Sequence, residues 1–402
     1  MPQAGAIMGL LGEGAGKRRR FLGRTSGVTP AMAMTFREMN LAVFRGEPLP
    51  HVFFQPRFEP WVWWHRERGD LPEEVRDLSL PEVYDRVGAS MRSVAYYTGQ
   101  PDPIVGGWAG DVKVSQDREG DLLRVRYDTP HGPLFETSRF TSDKTWRKVE
   151  FAAKTAGDLP ALRWLLERRT YRFDAARYQA GKAFIGERGE AHFWVPKSPY
   201  FALAQQWMKY ADFIYALADR PREIADLMRA INASYDPLYE QLTASRQVRI
   251  LNFGENVAMA YLSPRYYEQY VAPWYERRSG QLRGAGIFTH VHIDGAFRGL
   301  LPYLAGMPFD GLEALTPQPQ GDVTLEEIKA HIGDKVLLDG LPAVYFLDHH
   351  PREALAACVE QVVDLFHPRL VLGISDELPQ GGGEEAYRRL KWVADYARRR
   401  TG

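Results

Sequence analysis

The chain has 402 residues, enough for one large barrel or two ordinary domains, so length alone does not choose between them. Its 51 Lys and Arg balance 51 Asp and Glu, which argues against a nucleic-acid groove or a broad membrane-binding face. The single cysteine, Cys358, excludes an intramolecular disulfide framework and an all-thiolate metal cage, and fits a reducing cytoplasm.

Residues 1–33 are rich in Gly, Ala and Arg without a sustained period and read as a disordered N-terminal extension, with Met34 as an alternative start. Gly12 to Lys17 suggests a phosphate loop but fails the pattern, because Leu11 stands where its first glycine belongs and Arg18 follows the lysine. Residues 34–402 read as a single domain. Phe36, Met39, Leu41 and Phe44 recur at helical spacing behind Thr35, with Glu38 placed to complete a cap. His51 to Phe54 is an apolar strand that runs into Gln55, Pro56, Arg57, Phe58, Glu59 and Pro60. Arg57 and Glu59 then lie just past a strand end, either as a structural pair or as a rim that grips an anionic or planar ligand together with Trp61, Trp63 and Trp64.

Leu122 to Asp128 and Leu134 to Phe140, joined by a five-residue turn through Pro130, Gly132 and Pro133, predict an inserted β-hairpin. Lys148 to Leu166, Tyr200 to Tyr215 and Pro221 to Thr243 read as helices. From Val248 onward short buried strands (249–253, 287–294, 311–315, 336–339 and 370–374) alternate with helical stretches (264–285, 295–306, 324–333, 351–366 and 384–400). That alternation predicts a parallel sheet and, with so many units in series, an α/β fold of the (β/α)8 TIM-barrel type. Cys358 falls on one of these helices and reads as a small core residue.

Polar residues punctuate the strand ends: Glu255 and Asn256, then His290, His292 and Asp294, then Glu313, Asp339, Asp376 and Glu377. A barrel brings such ends to one mouth. A strand places alternate side chains on one face, so His290, His292 and Asp294 are expected to point together, with His290 deeper and placed to hold one of the other two. His349 and His350 read as helix-start surface residues. Gly381 to Gly383 read as a flexible loop over the mouth, since Glu384 and Glu385 behind them oppose a bound anion.

Phe253-Gly254-Glu255-Asn256, Leu262-Ser263-Pro264, Tyr270 to Trp274, His292-Ile293-Asp294-Gly295, Leu312 to Leu315 and Asp376-Glu377-Leu378-Pro379 resemble, in order and spacing, the uroporphyrinogen decarboxylase superfamily. The resemblance is strongest from about residue 248 to the end. It implies a TIM-like barrel enzyme, either a corrinoid-dependent methyltransferase or a porphyrinogen decarboxylase. The decarboxylases carry an arginine-rich segment for substrate carboxylates; here only Arg57 stands in that place, beside Gln55 and Glu59. The methyltransferases hold zinc with His-x-Cys and a later Cys, and cobalamin-independent methionine synthase adds a Glu.

Carried onto this chain, that pattern makes His292, Asp294, Glu313 and Asp376 candidate ligands of a divalent metal. Both cysteines of the pattern are carboxylates here, so a harder ion competes with zinc. If no metal binds, the acids are left as general acid and base. The resemblance thus implies a methyltransferase that moves a methyl group between a corrinoid, supplied by a partner protein, and a small acceptor. Glu255, His292, Asp294, Asp339 and Glu377 are the candidate catalytic groups, and Gln55, Arg57, Asn256 and His290 the candidate substrate contacts. A decarboxylase of a porphyrinogen or other carboxylated substrate and a non-catalytic corrinoid- or tetrapyrrole-binding barrel remain as alternatives. A cytoplasmic location and a homodimer are compatible with this reading.

Overall fold

The structure is a computed structural model, and it describes residues 34–142 and 145–400. The extension expected over residues 1–33 lies outside the described residues. The first helix, Phe36–Arg45, starts where its capping signal predicts: Thr35 Oγ1 accepts from the Glu38 N–H, and Glu38 accepts from the Thr35 N–H. Its apolar face, Met39, Ala42, Val43 and Phe44, packs on Phe53, Ile250, Val336, Leu338 and Val371. These residues lie toward the N-terminal ends of their strands, so this helix plugs the barrel floor and leaves the opposite end as the mouth.

Strand β1 (Phe53–Phe54) is followed by an insertion that holds β2 (Ile104–Trp108), β3 (Lys113–Glu119), β4 (Leu122–Asp128), β5 (Leu134–Phe140) and β6 (Trp146–Glu150). After β7 (Arg169–Phe173) come the remaining core strands: β8 (Trp194–Val195), β9 (Ile250–Val257), β10 (Phe288–Ile293), β11 (Gly311–Ala314), β12 (Val336–Pro342) and β13 (Leu370–Ser375). The core sheet has seven strands in the order β1-β13-β12-β11-β10-β9-β8, all parallel.

Residues 90–94 bridge the two edges of that sheet. The Ser90 N–H donates to Phe54 O, the His192 N–H to Arg92 O and the Val94 N–H to His192 O, each at 2.9 Å. A parallel bridge between Ser93 and His192 completes the seam. The segment therefore serves as the eighth stave, and the sheet closes on itself as the strand and helix alternation predicts.

Several boundaries differ from the sequence reading. The expected hairpin is the middle of a four-stranded antiparallel sheet, β3-β4-β5-β6, whose Tyr127 packs on Trp207 just past β8. The helix expected over Lys148 to Leu166 is two elements. Trp146–Glu150 pairs with β5, and the helix starts only at Leu159, with Pro160 in its first turn, where a missing N–H costs nothing. Tyr200 to Tyr215 is also broken, because Met208 is extended and its N–H turns back to Leu203. In place of a helix over 295–306 there is a 3-10 turn, Arg298–Tyr303, which contains Pro302. No helix among the described residues is long and apolar enough to cross a membrane.

Candidate active site

Polar side chains from around the ring meet inside the barrel above the plugged floor. Arg57 follows β1, Arg92 lies on the bridging segment, His192 precedes β8 and Asn252 is on β9. His290 and His292 are on β10, Glu313 on β11 and Asp339 on β12, and Asp376 follows β13. Register explains the convergence, since His292 sits opposite Glu313, and His290 opposite Asn252. All are buried except Asp376, whose side chain is 25% exposed.

Glu313 is the hub. Its Oε1 accepts from Arg92 Nη1 at 2.7 Å and lies 3.7 Å from Arg57 Nη1. Its Oε2 accepts from Asn252 Nδ2 and faces His290 Nδ1 at 3.2 Å and His292 Nδ1 at 3.7 Å. Burial alone would raise this carboxyl, but the Arg57 charge and the two imidazoles hold it well below the usual carboxylate range. Arg92 spends its remaining donors on Asp339 Oδ1 at 2.8 Å, Gln55 O at 3.0 Å and Gln55 Oε1 at 3.1 Å. Gln55 in turn donates to Asn40, Ser90 and Met91. The glutamine expected to touch substrate is thus a fully buried brace for Arg92, and Asp339 is its counter-ion.

The second imidazole chain runs inward. A carboxylate only accepts, so the N–H of His290 belongs on Nδ1, facing Glu313, and its Nε2 accepts from His192 Nδ1 at 3.1 Å. Burial holds both imidazoles below the ordinary histidine value, His192 most strongly. His290 is therefore a buried support rather than a substrate contact.

At the upper edge of the cluster, His292 Nε2 has no hydrogen-bond partner and lies 3.9 Å from Asp376 Oδ2, while the other oxygen of Asp376 contacts the Arg57 guanidinium. Arg57 is thereby committed to Asp376 and Glu313, which weakens it as a grip for a polyanionic porphyrinogen. Glu377 accepts from the Tyr96 hydroxyl beside this group. Asp294 does not join. The strand ends at Ile293, and the Asp294 carboxylate turns back to the Gly295 N–H at 2.7 Å.

Glu255 and Asn256 also stand apart, in a stretch where β9 bulges against β10 between Val291 and Ile293. Glu255 accepts from the Ser198 N–H at 2.6 Å and Ser198 Oγ at 3.0 Å, and Lys197 Nζ donates to Gly254 O at 2.6 Å. Burial lifts the Glu255 carboxyl to about 7 and lowers the Lys197 ammonium to about 8. Asn256 is half-buried at φ +54. These groups clamp two mouth loops together.

The ligand set His292, Asp294, Glu313 and Asp376 does not fit one divalent ion. Asp294 is turned away, the two nitrogens of His292 face different carboxylates, and guanidinium groups already engage Glu313 and Asp376. No group of three or more His, Cys, Asp or Glu among the described residues is arranged to hold a metal. Sequence reasoning also missed Arg92, His192, Asn252, Lys197 and Tyr96. The apolar run Phe193 to Val195 behind His192 was the available signal for that residue; residues 90–94 carry no strand-like run.

No family model matches this chain, and no curated protein does. Among solved structures, a methyltransferase from Methanosarcina mazei aligns at a TM-score of 0.54 and 13% identity, over 90% of this chain and 99% of that one. A B12-independent methionine synthase from Shewanella sp. W3-18-1 aligns at 0.41 and 14% identity, over 87% and 98%. The first likeness establishes a shared fold along nearly the whole of both chains.

Proposed function

We propose that the chain is a methyltransferase that moves a methyl group between a corrinoid carried by a partner protein and a small acceptor at the barrel mouth. The observation that carries this reading is the pairing of His292 Nε2 with Asp376 Oδ2 across 3.9 Å, on the fold of a solved methyltransferase. With its Nδ1 proton turned to Glu313, His292 offers an Nε2 lone pair toward the mouth. An acceptor X–H in that gap gives its proton to Nε2 as its lone pair takes the methyl group. Asp376, fixed by Arg57, holds the acceptor on the other side, and Glu313 fixes the imidazole. Arg57 and Arg92 supply the fixed positive charge around these carboxylates, so no step is assigned to a metal.

The test follows a methylated corrinoid by its visible absorbance in the presence of small amine and thiol acceptors. His292→Ala is expected to lower the rate on the order of a hundredfold with the unfolding midpoint kept. A full rate in that variant, or no demethylation by the wild type with any acceptor, overturns the proposal.

A further inference from the structure

Four half-buried aromatic rings stand around the same mouth. Tyr96 meets Tyr97 at a centroid distance of 4.8 Å and 80°, and Trp194 at 5.3 Å and 66°; Trp63 meets Tyr97 at 5.9 Å and 62°. Edge-to-face neighbours at these angles form corners, as the walls of a box do. They come from three places that the barrel brings to one end: the helix after β1, the loop after the bridging segment, and β8. Tyr97 holds φ +49, a backbone region that bulky residues rarely occupy. Of the tryptophans singled out in the sequence, only Trp63 joins this wall. Trp61 is buried against His65 and Tyr387, and Trp64 lies under Arg68.

The wall is continuous with the acidic cluster, because Tyr96 bonds Glu377 next to Asp376. Glu313, Asp339, Asp376 and Glu377 are four carboxylates against two guanidinium groups, Arg57 and Arg92, so the cup is formally anionic. A second, independent feature points to a ligand with N–H donors: His292 Nε2, on a residue 3% exposed and without a partner, aimed across the gap to Asp376. Two hydrogen bonds of about 2.9 Å to one shared atom span such a gap.

We propose that this cup binds a small alkylammonium, and that the acceptor of the methyl group is therefore an amine. The second half of that statement rests on the methyl-transfer reading; cation binding does not. One N–H of the ammonium faces Asp376 and another faces His292, while its alkyl groups lie against the rings, whose faces attract positive charge. In the transfer, His292 Nε2 takes one N–H proton and the freed lone pair forms the N–CH3 bond. The bond from that methyl group to cobalt breaks with its electron pair left on the corrinoid. The product leaves as the methylated ammonium, so the cup holds a cation before and after.

Calorimetry or ligand-observed NMR on the full chain without corrinoid, comparing diethylammonium with its neutral isostere diethyl ether, reads the proposal. The cation is expected to bind on the order of tenfold more tightly. Trp63→Leu and Asp376→Asn should each lower affinity for the cation severalfold and leave the ether unchanged, with folding checked by circular dichroism. Equal binding of the two probes, no binding of the cation, or cation binding untouched by both substitutions overturns it. Cation binding together with absent methyl transfer would leave this cup standing and remove only its role in the reaction.

Discussion

Arg92 Nη1 donates to Glu313 Oε1 at 2.7 Å across the barrel interior, with both side chains fully buried. The pair joins the bridging segment to β11, so the segment that closes the ring of staves also orients the carboxylate that faces His290 and His292. Arg92→Met should leave Glu313 and Asp339 as buried, uncompensated charges and cost about 3–5 kcal/mol. Arg92→Lys should recover only part of that, because a point charge cannot serve Glu313, Asp339 and Gln55 at once. Urea unfolding of the two variants checks the order; equal stability of Arg92→Lys and wild type would refute it.

The same hub predicts the acid limb of stability. Glu313 is held well below its unfolded value near 4.5 by Arg57, His290 and His292, against the opposing effect of burial. A depressed folded-state value means stability is fully present above about pH 4.5 and drains away as the pH falls toward the folded value. In Glu313→Gln that part of the acid limb should vanish: the variant is much less stable than wild type at pH 7, and the two converge toward pH 3. Parallel stability curves over that range would contradict this.

Glu59 should behave in the opposite way. Its carboxyl is fully buried, and burial pushes it up from 4.5 to about 7 despite nearby Tyr84 and Arg57. The folded chain then binds the extra proton, so stability falls as pH rises from about 4.5 to 7 and is level above that. Glu59→Gln should remove this slope and raise stability at pH 8 on the order of 2–3 kcal/mol, with little change at pH 4. Urea titrations at pH 4, 6 and 8 test it, and an equal effect at pH 4 and pH 8 sinks it.

Legibility followed regularity. The strands from β9 to β13 alternate with helices except for the short turn after β10, so the barrel and the place of His292, Glu313 and Asp376 at its mouth could be read from spacing. Arg92 could not, because its segment is held by hydrogen bonds to two other staves and carries no pattern of its own. Asp294 was misplaced for a related reason: period-two alternation says which face a residue takes only while the strand lasts, and β10 ends one residue earlier. The four-residue ligand set broke up with it, since a spacing of ligand types does not reveal that arginines from distant strands will occupy the carboxylates.

The aromatic wall depends on a glycine. A Cβ built on Gly254 would lie 2.4 Å from Trp194 Cδ1, closer than any packed side chain tolerates. Gly254 sits in the bulged part of β9 beside Glu255, and Trp194 pairs with Asn252 one turn of the pleat away. Gly254→Ala must therefore move the indole, the strand or both, at a cost of about 1–3 kcal/mol. Because Trp194 is packed against Tyr96, the displacement should reach the mouth: near-ultraviolet circular dichroism is expected to change, and affinity for diethylammonium to fall severalfold. Trp194→Leu opens room for the new methyl group, so adding Gly254→Ala to it should cost little further stability. A Gly254→Ala variant with wild-type near-ultraviolet signal and wild-type cation affinity would show that Trp194 does not depend on this glycine.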